Sequence, residues 1–285
     1  MSTQVKIMAD STCDLSPDLV KEYDVTLIPL QVVMDGKTYE DGVDITPADI
    51  FKWSEENKTT PQTIEPREER IEELFMPFKG TETEIVVFTI SGEMSKSADI
   101  IRRTAEKLEM SEQVYVLDSN NLSSGTGQLV IEAALMAAKG CSGKEIFETS
   151  ERLKSKVCSS FVIDTLDYLH RGGRCSGLTA FVGSAFQIHP RIDCRDGVLE
   201  VGIKYRGSLD KTVIDYAHGL EDRLRNGRPE RIFITHSVQD ARIVGAVRHY
   251  LESLEIFDRI FETHVGSVVS SHCGPGTLGI FFIEK

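Results

Sequence analysis

The stretch EIVVFTISGEMSKSADIIRRTAEKL, residues 84–108, decides the fold class. Ile85, Val86, Val87 and Phe88 form a continuous apolar run of strand length, the mark of a strand covered on both faces. Ile100, Ile101, Ala105 and Leu108 then recur on one face of a helix running from about Ala98 to Leu108. A strand passing directly into a helix is half of a parallel crossover. Between them lie Ser91, Ser95 and Ser97, with no catalytic-looking charge beside them. Such a turn either caps the helix through Ser95 and Ser97 or holds an anion. Free N–H groups and the positive end of the helix dipole suit a carboxylate or a phosphate there.

The pattern extends in both directions. Upstream, VKIMAD is a short apolar strand, and Ser16 and Pro17 begin a helix as N-cap and first residue. VTLIPLQVVM is extended, with Pro29 demanding an edge or a bend, and DGK is a turn. Thr46, Pro47 and Asp49 repeat the cap signal, and IEPREERIEELFMPF is a helix with mixed charge outside. Downstream, QVYVLDS is a strand and GTGQLVIEAALMAAKG a helix closed by Gly140. Ser142 and Glu145 form a capping box for the next helix. Alternating strands and helices imply a largely parallel sheet, which places ligands at the C-terminal ends of strands. DST at 10–12, ISGEMS at 90–95 and LDSNN at 117–121 lie at such ends.

The second half reads differently. CSSFVIDTLDYLHRGGRCSG runs from an extended piece into a short helix and a glycine turn. TAFVGSAF is helical in pattern, and RIDCRDGVLEVGIKYRG is a hairpin about Asp196-Gly197. LDKTVIDYAHGLEDRL and ARIVGAVRHYLESL are helices. RIFITHS, RIFETHVGSVVSSH and LGIFFIEK read as strands, which puts His272 at a strand end. The expected organisation is an N-terminal α/β domain over 1–157 and a C-terminal α/β domain over 158–285. No low-complexity linker separates them, so a large shared interface is expected.

Composition limits the partners. The chain has 285 residues, enough for one large or two ordinary domains. A net charge of −13 disfavours nucleic acid and anionic membrane as general partners. No apolar run is long enough to span a bilayer, and the start lacks a signal peptide's regions. The six cysteines are scattered without a Cys-x-x-Cys pair, which fits reduced thiols in a cytoplasmic protein.

Several chemical motifs fail on context. GPGTLG at 274–279 spells a dinucleotide fingerprint, yet IFFIEK follows where a helix is required. GKT at 36–38 lacks the glycine cradle of a P-loop. There is no Gly-x-Ser-x-Gly elbow and no His-Glu-x-x-His pair. Most Asp and Glu fall at the spacing of solvated helix faces. Three polar features remain: the serine turn, RGGR at 171–174, and His272 in SSHCGPG. RGGR is either a helix-ending turn or a place of close backbone approach, and a lone histidine is more often packed than functional.

In order and spacing, these stretches resemble the DegV family of fatty-acid-binding proteins. The resemblance covers nearly the whole chain. MADSTCDLSPDLVKEYDVTLIPLQVVMDGKTYEDGVDI is similar to the family's opening, TLDYLHRGGRCS to its Gly-Gly-Arg segment, IHPRIDCRDGVLEV with Lys204, Tyr205 and Arg206 to its Ile-x-Pro and Lys-x-Arg segments, and SSHCGPGTLGIFF to its His-x-Gly-x-Gly ending. The resemblance implies two α/β domains with one fatty acid between them, of C14–C18 length such as palmitate, and no other cofactor or metal. It implies a carrier without turnover of its own, which presents the carboxylate to the ATP-binding subunit of a fatty acid kinase. Thr63, Ser95 and His272 match the family's carboxylate-binding positions, with Ser97 and Arg174 beside them. Arg206 matches an arginine facing the kinase or, transiently, the membrane surface. The chain departs from the family at Ile64 and Glu65, in its Thr-Ser-Gln-Pro segment, and at Lys96 and Ser97, in its Ser-Gly-Thr turn.

Two other functions use the same residues. A hydrolase of acyl esters or thioesters would take Ser95 as nucleophile and His272 as base, although no third triad member is evident. A binding module for another small carboxylate would need the polar end without the long apolar tunnel. A patch of Arg171, Arg174, Lys204, Arg206 and Lys211 is either a docking face or a set of solvated charges.

Overall fold

Within Val5–Asp10 the consecutive residues Ile7, Met8 and Ala9 are all buried. Only a strand covered on both faces accommodates that run. A computed structural model describes residues 4–176, 188–237 and 239–285. The stretch TAFVGSAF, read as helical, lies outside the described residues. In chain order the elements begin with β1 (Val5–Asp10), α1 (Pro17–Glu22), β2 (Thr26–Ile28), β3 (Gln31–Met34), β4 (Lys37–Glu40), α2 (Pro47–Asn57), β5 (Gln62–Ile64) and α3 (Glu68–Phe75). β6 (Glu84–Thr89), α4 (Ser97–Lys107), β7 (Val114–Asp118), α5 (Ser123–Ala138), α6 (Gly143–Leu153), β8 (Val157–Val162), α7 (Asp167–Gly172) and β9 (Cys175–Ser176) follow. The chain continues with β10 (Ile188–Arg195), β11 (Val198–Arg206), α8 (Leu209–His218), α9 (Glu221–Arg225), β12 (Ile232–His236), α10 (Ala241–Ser253), β13 (Ile260–His264), α11 (Ser267–Cys273) and β14 (Leu278–Ile283).

The caps expected from sequence form. Ser16 accepts from the Leu19 N–H ahead of α1, and full capping boxes join Thr46 to Asp49 and Ser142 to Glu145. Pro29 has no N–H to give a ladder, and the extended stretch around it splits there. β2 is the edge of a parallel sheet ordered β2-β1-β6-β7. β3 leaves that sheet and pairs antiparallel with β4 and β5 in a separate three-stranded sheet. The third sheet has seven strands, ordered β13-β12-β14-β8-β10-β11-β9. Its centre is antiparallel, and both flanking pairs, β12 with β13 and β11 with β9, are parallel.

Helix α5 lies between the first and third sheets. Leu129, Val130, Ile131 and Ala133 share one buried cluster with Val86, Phe88 and Leu117 of the first sheet and with Phe233, Phe281 and Ile283 of the third. Its polar start is buried too. The Ser124 hydroxyl is 2.6 Å from Thr235 Oγ1 and 3.1 Å from Thr263 Oγ1, and Gln128 Nε2 donates to Phe281 O at 3.1 Å. Gly125 lets the helix meet β8: a β-carbon there would stand 2.3 Å from Ser159 Oγ.

Candidate functional site

The serine turn divides its hydroxyls between framework and cavity. Ser91 donates to Gly197 O at 2.8 Å, and its N–H bonds Asn121 O, so it fastens the turn to the β10–β11 hairpin. Ser95 faces the other way, into a cavity between the two halves of the chain. Its Oγ lies 2.8 Å from Ser97 Oγ and accepts the Ser97 N–H at 3.2 Å. The N-cap position of α4 belongs to Lys96, whose side chain makes no cap bond. Ser97 is fully buried behind Ser95 and is not part of the cavity wall.

The cavity encloses about 610 Å³ of empty space, its open mouth included. Leu30, Ile90 and Leu122 line it from the first half and Phe161, Leu199 and Val268 from the second. Polar groups converge from separate elements. Thr63 is on β5, in register with Val32, and its Oγ1 is 2.8 Å from Nε2 of His272. Arg174 reaches the wall just after α7, where its Nη1 donates to Gly172 O at 2.6 Å. Ile64 and Glu65 also line the cavity, with Ile64 39% exposed. Lys96 is exposed and outside the wall, and its backbone N–H points to Glu65 Oε1 at 3.4 Å.

His272 is on a helix, α11, and not at the end of a strand. The strand read through RIFETHVGSVVSSH stops at His264, and Ser267–Cys273 coils because its N-terminus meets buried acceptors. Burial, and then the charge of Arg174, lower the His272 pKa to about 4, so its imidazole is neutral at pH 7. Its Nδ1 is buried without a hydrogen-bond partner. The two glycines of RGGR have separate reasons. Gly173 ends α7 in the left-handed region at φ 64°. Gly172 makes room for the imidazole, since a β-carbon there would be 2.3 Å from His272 Nδ1.

Asp10, Asp14 and Asp41 are buried carboxylates of the first half that the sequence reading did not single out as carboxylates, although it placed DST at a strand end. Asp10 accepts from Ile90 N at 2.9 Å and Thr12 Oγ1 at 2.5 Å, and burial raises its pKa to about 6. Asp14 accepts from Ser123 Oγ (2.5 Å) and Gly266 N (2.8 Å). Asp41 accepts from Ser11 Oγ (2.9 Å) and Ser267 N (2.7 Å). Burial pushes both pKa values up, that of Asp14 far above the usual carboxylate range. The usable signal was the position of Asp10 at the C-terminal end of β1, with Asp14 four residues further on.

GPGTLG is a loop from α11 into β14, with Gly274 and Gly276 at φ 75° and 76°. No helix follows, so it is not a dinucleotide site. Of the basic patch, Lys211 is paired with Asp215 at 2.8 Å. Among the described residues no group of three or more His, Cys, Asp or Glu could hold a metal, and no helix is long and apolar enough to cross a membrane.

The first and third sheets thus lie to either side of an apolar cavity whose wall carries the Thr63 and Ser95 hydroxyls and one neutral imidazole. A family model described as "Uncharacterised protein, DegV family" matches residues 4–285, and the chain belongs to that family. A fatty acid-binding protein of Thermotoga maritima is 31% identical over 293 residues, covering 99% of this chain and 98% of its own. A DegV family protein from Thermus thermophilus, solved for its fatty acid binding, superposes with a TM-score of 0.89 at 26% identity, covering 99% of this chain and 100% of its own. A stearic acid-binding protein from Eubacterium ventriosum shares the fold, with a TM-score of 0.83, 24% identity, and coverage of 99% and 98%.

Proposed function

We propose that this chain is a fatty-acid carrier. It binds one long-chain fatty acid, C14–C18 and for example palmitate, in a tunnel between an N-terminal domain (1–157) and a C-terminal domain (158–285). The observation that carries this is the apolar cavity with the Thr63–His272 pair in its wall. Burying a C16 chain removes about fourteen methylenes from water, roughly 11 kcal/mol before ordering costs. The tail thus supplies affinity, and the polar end fixes orientation. A carboxylate leaving water needs donors. Thr63, Ser95 and His272 form the polar end, the two hydroxyls as donors and the imidazole holding Thr63 in place, while Ser97 orients Ser95 and Arg174 adds positive charge.

The carrier performs no turnover alone. In the cytoplasm it presents the carboxylate to a separate ATP-dependent fatty acid kinase, which transfers a phosphoryl group to a carboxylate oxygen and forms the acyl phosphate. Arg206 docks that kinase, and the same face touches membrane transiently. Substituting Arg206→Glu is expected to slow acyl-phosphate formation in a reconstituted reaction while leaving the bound lipid in place. Loss of lipid as well would remove the docking role.

Purified protein, denatured and examined by mass spectrometry, is expected to release one C14–C18 fatty acid per chain. Protein still empty after incubation with palmitate would overturn the carrier function. A hydrolase is disfavoured by geometry. His272 Nε2 faces Thr63, its Nδ1 lacks the acidic partner of a triad, and Ser95 Oγ is engaged by Ser97. A module for a short carboxylate would leave the apolar walls without a ligand to cover.

A further inference from the structure

Helix α11 supplies Val268, Val269, His272 and Cys273 to the cavity wall, yet its first turn is held by residues remote in sequence. The Gly266 N–H donates to Asp14 Oδ1 at 2.8 Å, the Ser267 N–H to Asp41 Oδ1 at 2.7 Å, and Ser267 Oγ to Ile45 O at 3.1 Å. All three acceptors come from the first 45 residues, so the turn is gripped across the junction between the two halves. Each carboxylate is fixed from behind, Asp14 by Ser123 and Asp41 by Ser11. Gly266 permits the approach, because a β-carbon there would stand 3.0 Å from Asp41 Oδ2 and 3.4 Å from Asp14 Oδ1.

We propose that Asp14 and Asp41 are positioning residues for the ligand site, acting through α11 to hold His272 against Thr63. Neither carboxylate lines the cavity. What each contributes is an acceptor at a fixed place, which orients the helix and keeps the imidazole in its buried slot. Uncovering the helix start lets α11 turn, and water then reaches His272. The role for lipid binding rests on the carrier function proposed above, whereas the effect on His272 does not.

The test follows His272 by NMR titration of its ring nitrogens, alongside palmitate affinity and thermal stability. In Asp14→Ala and Asp41→Ala, the titration is expected to move from near 4 toward the ordinary histidine value of 6.5. Palmitate affinity is expected to fall about tenfold, the equivalent of ~1.4 kcal/mol. Asp14→Asn and Asp41→Asn keep a carbonyl oxygen for the helix N–H groups, and are expected to retain the wild-type titration and affinity. Should the alanine variants fail to fold, Gly266→Ala crowds the same contact by a few tenths of an ångström, and is expected to give the same titration shift in smaller measure. Folded variants with lowered stability but an unchanged His272 titration would overturn the proposal. So would a Gly266→Ala titration identical to wild type. A shifted titration in a protein that never takes up palmitate would leave the positioning role standing and remove the carrier function instead.

Discussion

Gly172→Ala should weaken palmitate binding by roughly 10- to 100-fold, while its neighbour Gly173→Ala should leave affinity nearly untouched. A β-carbon at residue 172 would sit 2.3 Å from His272 Nδ1 and 3.1 Å from its Cε1, deep inside van der Waals contact. The imidazole cannot retreat without leaving Thr63, which it meets at 2.8 Å on its other nitrogen. Overpacking of this kind costs about 1–3 kcal/mol, and 1.4 kcal/mol is a factor of ten in affinity. At residue 173 an added β-carbon meets nothing within 4 Å, and the penalty is backbone strain at φ 64°. That strain lowers stability by about 1 kcal/mol without touching the cavity. Titration calorimetry of the two variants separates the effects. Equal affinities would mean that His272 does not meet the ligand's head group.

Gly125→Ala should be strongly destabilising. Its β-carbon would fall 2.0 Å from Asn121 Oδ1 and 2.3 Å from Ser159 Oγ. Those two atoms bond each other at 2.6 Å, and Asn121 Oδ1 also accepts the Leu122 N–H, so neither can move without breaking a buried hydrogen bond. A loss of about 3 kcal/mol is expected, which corresponds to a Tm lower by roughly 6–12 °C. Gly245→Ala in α10 is the control. Nothing lies within 4 Å of its added carbon, and helix propensity predicts a gain of about 0.5–1 kcal/mol. Thermal unfolding of both variants checks the pair, and a Gly125→Ala protein as stable as wild type would mean that α5 is not packed this closely on β8.

Much of this architecture was legible because its signals are local. The capping boxes at Thr46 and Ser142, the split at Pro29 and the hairpin turn at Asp196-Gly197 each depend on residues within a few positions of one another. The features that escaped depend on distant partners. β5 is three residues long and becomes a strand only by pairing with β3, so the segment around Thr63 carries no periodicity of its own. α11 has only seven residues, rich in β-branched and small side chains, and reads as strand until Asp14 and Asp41 are brought to its first turn. The pairing of His272 with Thr63 spans 209 residues and leaves no trace in local pattern. The serine turn was half legible. Its cavity-facing member, Ser95, was singled out, but that Ser91 would be consumed by Gly197 follows only from the hairpin's position.

Helix α5 has no side left over for solvent along most of its length. Its Leu129, Val130 and Ile131 belong to a cluster that draws on strands from both ends of the sequence, β1 and β14 among them. A gene cut just before Val157 would therefore encode two fragments, each with a raw face. One would expose the far side of α5, and the other Phe233, Phe281 and Ile283. The change of sheet near residue 157 marks where strand pairing switches, whereas the shared cluster makes the whole chain the expected unfolding unit. A single calorimetric transition is the natural behaviour of such a core.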